Sequence, residues 1–93
     1  MIQEKAWKFE LGQVLITPNA QNTIDNQDVM KALSKHMAGD WGDCCSEDWE
    51  ANQQSLQEEE RLFSVYHDRN GVKFWVITEW DRSATTILLP EDY

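Results

Sequence analysis

A hairpin signal in the last third of the chain most constrains how these 93 residues fold. Two runs rich in aromatic and β-branched residues, 61–68 and 72–80, flank the tripeptide Arg69-Asn70-Gly71. Asn-Gly between strand-like runs favours a two-residue turn, because both residues tolerate the positive φ that such a turn requires. The sequence therefore predicts two antiparallel strands joined at Asn70 and Gly71.

The two-residue turn also predicts which residues pair and which face of the hairpin each side chain occupies. It pairs Tyr66 with Trp75, and all other pairs follow in step. Directly paired residues share a face. The face predicted to form the core against the helices carries Phe63, Val65, Phe74 and Val76. The opposite face is predicted to carry Leu62, Tyr66, Trp75 and Ile77.

Two further strands and two helices are predicted from local signals. A first strand lies near 11–17, where a branched apolar run stops at the turn signal Pro18-Asn19. Asp25 is an N-cap before a helix over about 26–38, whose apolar residues recur at three- and four-residue steps. Ser46 is predicted to cap a short second helix. After the hairpin, another strand covers 85–89.

This order predicts one α+β domain over residues 1–93. Its sheet contains a three-stranded antiparallel C-terminal meander plus an N-terminal strand, with one or two helices packed on one face. A composition of 41% hydrophobic and 27% charged residues is typical of a folded chain. Whether the first strand joins the meander at its edge or inside it stays open.

Negative charge is concentrated in the middle of the chain. The formal net charge is −9, and residues 1–23, 24–60 and 61–93 contribute 0, −8 and −1. Phosphate backbones are repelled by such a charge, which argues against direct binding of nucleic acid. The alternative is a local positive edge on the sheet beside its aromatic residues. Its basic residues would be Arg61, Arg69, Lys73 and Arg82.

The sequence also bears on the compartment. No run approaches the roughly 18 apolar residues of a membrane span, and the first five residues lack the basic and apolar regions of a signal peptide. The only cysteines, Cys44 and Cys45, are adjacent, which disfavours the geometry of a disulfide between them. We therefore predict a cytoplasmic protein with reduced thiols and no membrane contact.

Four segments resemble a known family. They are residues 39–43 (GDWGD), 61–66 (RLFSVY), 73–79 (KFWVITE) and 81–93 (DRSATTILLPEDY). Together they are similar to the small bacterial "plasmid-related" proteins, which plasmids, phages and integrated elements encode and which are sometimes labelled subunits of type I restriction-modification systems. The resemblance covers roughly residues 25–93. It implies a mobile-element origin and a cytoplasmic setting, but no established activity.

Enzymatic chemistry finds little support in the residues. A methyltransferase needs a glycine-rich cofactor loop and a longer chain, so no cofactor is predicted. A cysteine nucleophile with His36 or His67 as base is opposed by nearby carboxylates, which disfavour the thiolate. A zinc site lacks any known ligand spacing. Its candidate ligands would be His36, Asp40, Asp43, Cys44 and Cys45. We therefore predict a protein that is not an enzyme.

The acidic segment at 40–60 is the predicted functional surface. It contains eight carboxylates and no basic residue, interleaved with two tryptophans. Such a surface suits a protein partner with a basic surface, or the groove of a nucleic-acid-binding protein entered by charge mimicry. The predicted contact residues are Trp41, Asp43, Glu47, Asp48, Trp49, Glu58, Glu59 and Glu60. The alternative is a self-associating module that forms a homodimer through Leu62, Tyr66, Trp75 and Ile77.

Overall fold

A computed structural model describes residues 7–93 of the chain. Its elements are β1 (Gln13–Ile16), α1 (Pro18–Thr23), α2 (Asn26–Met37), α3 (Ser46–Glu58), β2 (Leu62–His67), β3 (Lys73–Thr78), β4 (Ala84–Leu88) and a final 3-10 turn (Pro90–Asp92). The predicted α+β class is confirmed. The first five residues, on which the signal-peptide prediction depends, lie outside the described residues.

The four strands form one mixed sheet in the order β1-β4-β3-β2. The pairs β2–β3 and β3–β4 are antiparallel, whereas β1 lies parallel to β4 at the edge of the sheet. The arrangement therefore differs in detail from the predicted one, because the first strand adds a parallel pair. Residues 7–93 contain three α-helices, against the one or two predicted.

The register of the hairpin is one residue away from the predicted one. Tyr66 pairs with Phe74, and Val65 pairs with Trp75. A one-residue shift turns every side chain of one strand to the other face relative to its partner. The prediction of a two-residue turn is therefore wrong, and the faces that it assigned to β2 are reversed.

The cause of the shift is the turn itself, which has three residues. Gly71 donates its main-chain N–H to the Asp68 carbonyl at 2.9 Å and has φ of 83°, as in a type I turn followed by a left-handed residue. Asp68 stabilises this loop, because its Oδ1 accepts the main-chain N–H groups of Asn70 and Val72, each at 2.8 Å. The side chain of Asp68 thus favours the longer loop.

Reversal of β2 changes the predicted core. The face toward α1 and α2 carries the buried side chains Leu62, Ser64, Tyr66, Phe74, Val76 and Thr78. The prediction that Phe63 and Val65 belong to this core is wrong, because both lie on the outer face. The predicted dimer surface also loses Leu62 and Tyr66, which the core buries, and Ile77, which is buried on the other face of the sheet.

The main core lies between two helices and this inner face. Helix α1 contributes Ala20, the connection to α2 contributes Ile24, and α2 contributes Val29, Ala32 and Leu33. The apolar sheet residues of the same cluster are Tyr66, Phe74, Val76, Ile87 and Leu89. The apolar spacing on α2 therefore identified a true core face.

The helix starts agree only in part with the predicted signals. Asp25 caps α2 as predicted, because its Oδ1 accepts the Gln27 N–H at 2.8 Å. Helix α3 includes Ser46 as its first residue, with Cys45 as the N-cap and no side-chain cap bond. The prediction that Ser46 is the cap is therefore one residue out.

Helix α1 was not predicted, because Pro18-Asn19 resembles a turn. Pro18 occupies the first helical turn, where its missing N–H costs nothing. Thr17 is the N-cap, and its Oγ1 accepts the Ala20 N–H at 3.1 Å. The same dipeptide thus begins a helix because Thr17 caps it.

Candidate functional site

The predicted contact segment runs along the free side of β2. Val65 donates its N–H to the Trp41 carbonyl at 3.1 Å, and Asp43 donates its N–H to the Val65 carbonyl at 2.7 Å. These bonds form a short parallel bridge between Gly42 and Val65. The loop before α3 is thereby fixed to the sheet.

Trp41 belongs to the interior rather than to a contact surface. Its side chain is fully buried. The indole stacks on Phe9 at 6.2 Å between ring centroids and meets His36 edge-on at 5.5 Å. Its Nε1–H donates to Gln53 Oε1 at 2.9 Å. Because the bridge to β2 draws the loop inward, Trp41 cannot supply exposed contact area, and we remove it from the predicted surface.

Asn52 holds α3 against the edge of β2. Its Nδ2 donates to the Phe63 carbonyl at 2.7 Å, and its Oδ1 accepts the Phe63 N–H at 3.0 Å. The side chain therefore replaces the two hydrogen bonds that a neighbouring strand would form. Together with the Trp41–Gln53 bond, this contact fixes which side of α3 faces solvent.

The solvent side of α3 carries a stripe of carboxylates, which we call the acidic stripe. Its members are Glu47, Glu50 and Glu58. Glu50 and Glu58 follow Glu47 by three and eleven residues, and these spacings bring all three to one side of a helix. All three are exposed, whereas Asn52 on the opposite side is buried. Gln54 lies between the second and third members, and its Nε2 donates to Glu58 Oε2 at 3.2 Å.

The remaining predicted contact residues are spread over a wider area. Asp48, Glu59 and Glu60 are exposed, and Trp49 is partly exposed. Asp43 lies before the helix, where its Oδ2 is 2.7 Å from His67 Nδ1. Since a helix of 13 residues is about 20 Å long, the acids at its two ends do not form one compact patch.

The two ends of α3 differ electrostatically. Glu47 and Asp48 lie in the first turn, where the helix dipole favours negative charge. Glu58, Glu59 and Glu60 lie at the opposite end, where the dipole disfavours it. Arg82 offsets this repulsion, because its guanidinium donates to the carbonyls at the end of the helix. The bonds to Ser55 and Glu60 measure 3.1 and 2.6 Å.

No basic side chain neutralises the acidic stripe within the described residues. The ion pairs among these residues join Arg69 to Asp25 and Asp28, and the Asp43 carboxylate contacts the His67 imidazole at 2.7 Å. The carboxylates of α3 therefore keep their field directed toward solvent.

A buried polar chain joins α2 to the inner face of the sheet. His36 is fully buried, with Nδ1 at 2.6 Å from Ser64 Oγ and Nε2 at 2.9 Å from Thr78 Oγ1. Thr78 Oγ1 lies 2.7 Å from Thr85 Oγ1, and the Thr85 hydroxyl donates to the Leu11 carbonyl at 2.7 Å. All of these side chains therefore have partners.

The last bond determines the direction of the others. Thr85 uses its only proton on a carbonyl, so it accepts from Thr78, and Thr78 in turn accepts from Nε2–H of His36. In a neutral imidazole Nδ1 then accepts the Ser64 hydroxyl. Burial, with a smaller contribution from the charge of Arg82, lowers the pKa of His36 to about 3. The geometry thus assigns His36 a structural role.

The two thiols lie in different environments. Cys44 is half-buried, and its Sγ–H donates to the carbonyls of Trp41 and Phe63 at 3.3 and 3.5 Å. Burial raises the pKa of the Cys44 thiol, which disfavours the nucleophilic thiolate. Cys45 is exposed at the N-cap of α3.

The suggested zinc ligands do not come together. Residues 7–93 contain no group of three or more histidine, cysteine, aspartate or glutamate side chains placed to hold a metal ion. Both ring nitrogens of His36 are occupied by hydroxyl partners.

Across residues 7–93, no helix has the length and apolar character needed to cross a membrane.

The chain matches no protein-family model, no curated protein and no solved structure. The resemblance to plasmid-related proteins therefore stays a prediction that rests on the four segments quoted above.

Proposed function

We propose that the protein is a small, non-enzymatic protein-binding module whose helix α3 docks on a basic surface of a partner. The observation that carries this proposal is the acidic stripe, which is exposed and has no ion pair among the described residues. A run of like charges left unpaired costs stability through self-repulsion. A cationic partner would relieve this repulsion on binding.

The way α3 is held supports this function. Asn52 and Gln53 fix the helix to β2 and to the loop that contains Trp41. A helix held in one orientation loses little conformational freedom on binding, which favours affinity. Charge on its exposed side accelerates encounter with a cationic partner, and the exposed part of Trp49 adds apolar contact area.

The nature of the partner follows from the charge of the stripe. Proteins that bind nucleic acid present rows of lysine and arginine that match a negatively charged rod. The resemblance to mobile-element proteins suggests a host defence protein or a nucleic-acid-handling protein of this kind. Binding would then compete with nucleic acid for the same basic surface.

A matched pair of variants tests the proposal. The triple variant E47Q/E50Q/E58Q removes the stripe, while E10Q/E79Q/E91Q removes the same charge from residues outside α3. Both variants and the native chain are used as bait in bacterial lysate at physiological salt, and retained proteins are identified by mass spectrometry.

We expect a basic protein to be retained by the native chain and by the second variant, and to be lost with the first. Adding nucleic acid to the lysate should also displace it. Equal retention by both variants would mean that net charge alone, and not α3, determines binding, and would contradict the proposal.

A further inference from the structure

The two edges of the sheet are treated differently. On β2, the outward main-chain groups belong to Phe63, Val65 and His67. Asn52 binds both groups of Phe63, and the loop at Trp41 and Asp43 binds both groups of Val65. This edge is therefore closed to further strands at Phe63 and Val65.

On β1, the outward groups belong to Val14 and Ile16. The Gln13 N–H donates to the carbonyl of Ser83, the residue before β4, at 2.9 Å. The Thr17 N–H donates to the carbonyl of Ile87 in β4 at 3.0 Å. Alternate residues of a strand direct their main-chain groups to opposite sides. Val14 and Ile16 therefore point theirs away from β4, and none of residues 7–93 pairs with them.

The side chains of this open edge lack the usual protection. Exposed edge strands are commonly guarded by charged residues, proline or a bulge. Residues 11–17 contain no charged residue and no proline. The side chains of Val14 and Leu15 are 46% and 42% exposed. The two side chains point to opposite faces of the sheet. An apolar edge of this kind is a template for another strand.

We propose that β1 pairs with β1 of a second copy of this chain, antiparallel about a two-fold axis at Leu15. In this register Val14 of one copy faces Ile16 of the other and exchanges two hydrogen bonds with it. Symmetry repeats the exchange on the other side of the axis, so four hydrogen bonds satisfy every outward group of both strands. Leu15 meets its own counterpart in the close, non-hydrogen-bonded position.

Charge limits where a second copy can approach. Each copy carries a net charge of −9, so the repulsion between two copies is smaller at an uncharged strand that is distant from the acidic stripe. β1 has no charged residue and lies at the opposite edge of the sheet from β2, on which α3 is docked. The dimer therefore contains one continuous eight-stranded sheet with both acidic stripes at its far ends. Its formation does not depend on the function proposed for α3.

The state of association is measured by light scattering after size exclusion and by sedimentation across a range of concentrations. V14P removes two of the four hydrogen bonds between copies, and spares the bonds to β4 because the Val14 N–H faces away from β4. We expect V14P to raise the dimer dissociation constant by about tenfold or more. L15K places two like charges face to face and should give a monomer.

Two controls separate the edge from general effects. M30K adds the same charge at an exposed apolar residue of α2 and should leave the dimer intact. In a C45S background, L15C should form a covalent dimer on mild oxidation, while V14C, whose partner in this register is Ile16, should not. A native chain that stays monomeric at millimolar concentration overturns the proposal, as does a dimer that V14P and L15K leave unchanged. Should L15K fail to fold, V14P and the cysteine pair still decide.

Discussion

The side chain of Asn52 forms with the main chain of Phe63 the two hydrogen bonds that a neighbouring strand would form. A single amide both donates to the Phe63 carbonyl at 2.7 Å and accepts the Phe63 N–H at 3.0 Å. It occupies a site where an edge strand would otherwise expose its main chain. The same contact determines which side of α3 faces solvent, so it links closure of the sheet to presentation of the acidic stripe.

Substitution of Asn52 should therefore destabilise the fold more than its small size suggests. N52A leaves the Phe63 N–H without a protein partner and leaves the Phe63 carbonyl only the weak contact with the Cys44 thiol at 3.5 Å, so we expect the free energy of unfolding to fall by about 2–4 kcal/mol. N52D keeps an acceptor but loses the donor to the carbonyl, so it should be similarly unstable near neutral pH. Urea titration followed by tryptophan fluorescence measures both. Q57A, on the exposed side of α3, is the control, and equal stability of N52A and Q57A would contradict this role.

Two glycines with similar backbone angles should respond differently to alanine. Gly42 has φ of 77° and Gly71 has φ of 83°. At Gly71 an added Cβ meets nothing within 4 Å, so G71A should cost only the left-handed backbone, about 1–2 kcal/mol.

At Gly42 an added Cβ would overlap the Val65 carbonyl oxygen and the Tyr66 ring. G42A should therefore break the bridge to β2 and cost more than about 3 kcal/mol, because the overlap adds to the backbone strain. Thermal unfolding of the two variants gives the comparison. Similar melting temperatures for G42A and G71A would show that the approach of the loop to β2 matters little.

The elements with strong local signals were predictable from the sequence. Val29 and Leu33 have helical spacing and do lie in the core, and Asp25 does cap α2. The hairpin was also evident, but its register was not. That register depends on whether the turn has two or three residues, and here the Asp68 side chain accepts main-chain N–H groups in the three-residue form.

The residues that build the site were harder to predict, because their roles depend on distant partners. The sequence predicted Trp41 as an exposed contact residue. The bridge between its loop and Val65 instead buries its side chain. Asn52 lies three residues after Trp49 and four before Leu56, so helical spacing alone could have placed it on the packed side of α3. Its pairing with Phe63, like that of His36 with Ser64 and Thr78, arises only from tertiary contact.

Arg82 should stabilise the end of α3. Its guanidinium donates to the carbonyls of Ser55, Glu60, Glu79 and Trp80. R82A loses these charge-assisted bonds, and we expect a loss of about 2–3 kcal/mol. Because Arg82 has φ of 61°, R82G loses the same bonds but relieves the backbone, and should be about 1 kcal/mol more stable than R82A.

Hydrogen exchange locates this effect. The amide of Glu60, which donates to the Ser55 carbonyl at 3.0 Å, should exchange faster in both Arg82 variants than in the native chain. R61A is the control, since Arg61 is exposed and donates to the Tyr93 hydroxyl rather than to the end of α3. Unchanged exchange at Glu60 in R82A would rule out a capping role.

His36 should make stability depend on pH in a defined window. Its pKa is about 3 in the folded chain against an ordinary value of 6.5, so between these limits the unfolded chain binds the extra proton. The contribution of neutral His36 is complete above pH 6.5 and is lost progressively as pH falls toward 3. The full loss is about 4–5 kcal/mol.

The variant H36Q tests this dependence, because glutamine keeps groups that can bond to Ser64 and Thr78 but does not titrate. Subtracting the unfolding free energy of H36Q from that of the native chain at each pH gives the contribution of His36 protonation to stability. We expect the difference to favour the native chain most at pH 7 and to shrink steadily toward pH 4. A difference that is constant from pH 7 to 4 would mean that His36 is not held neutral in the core.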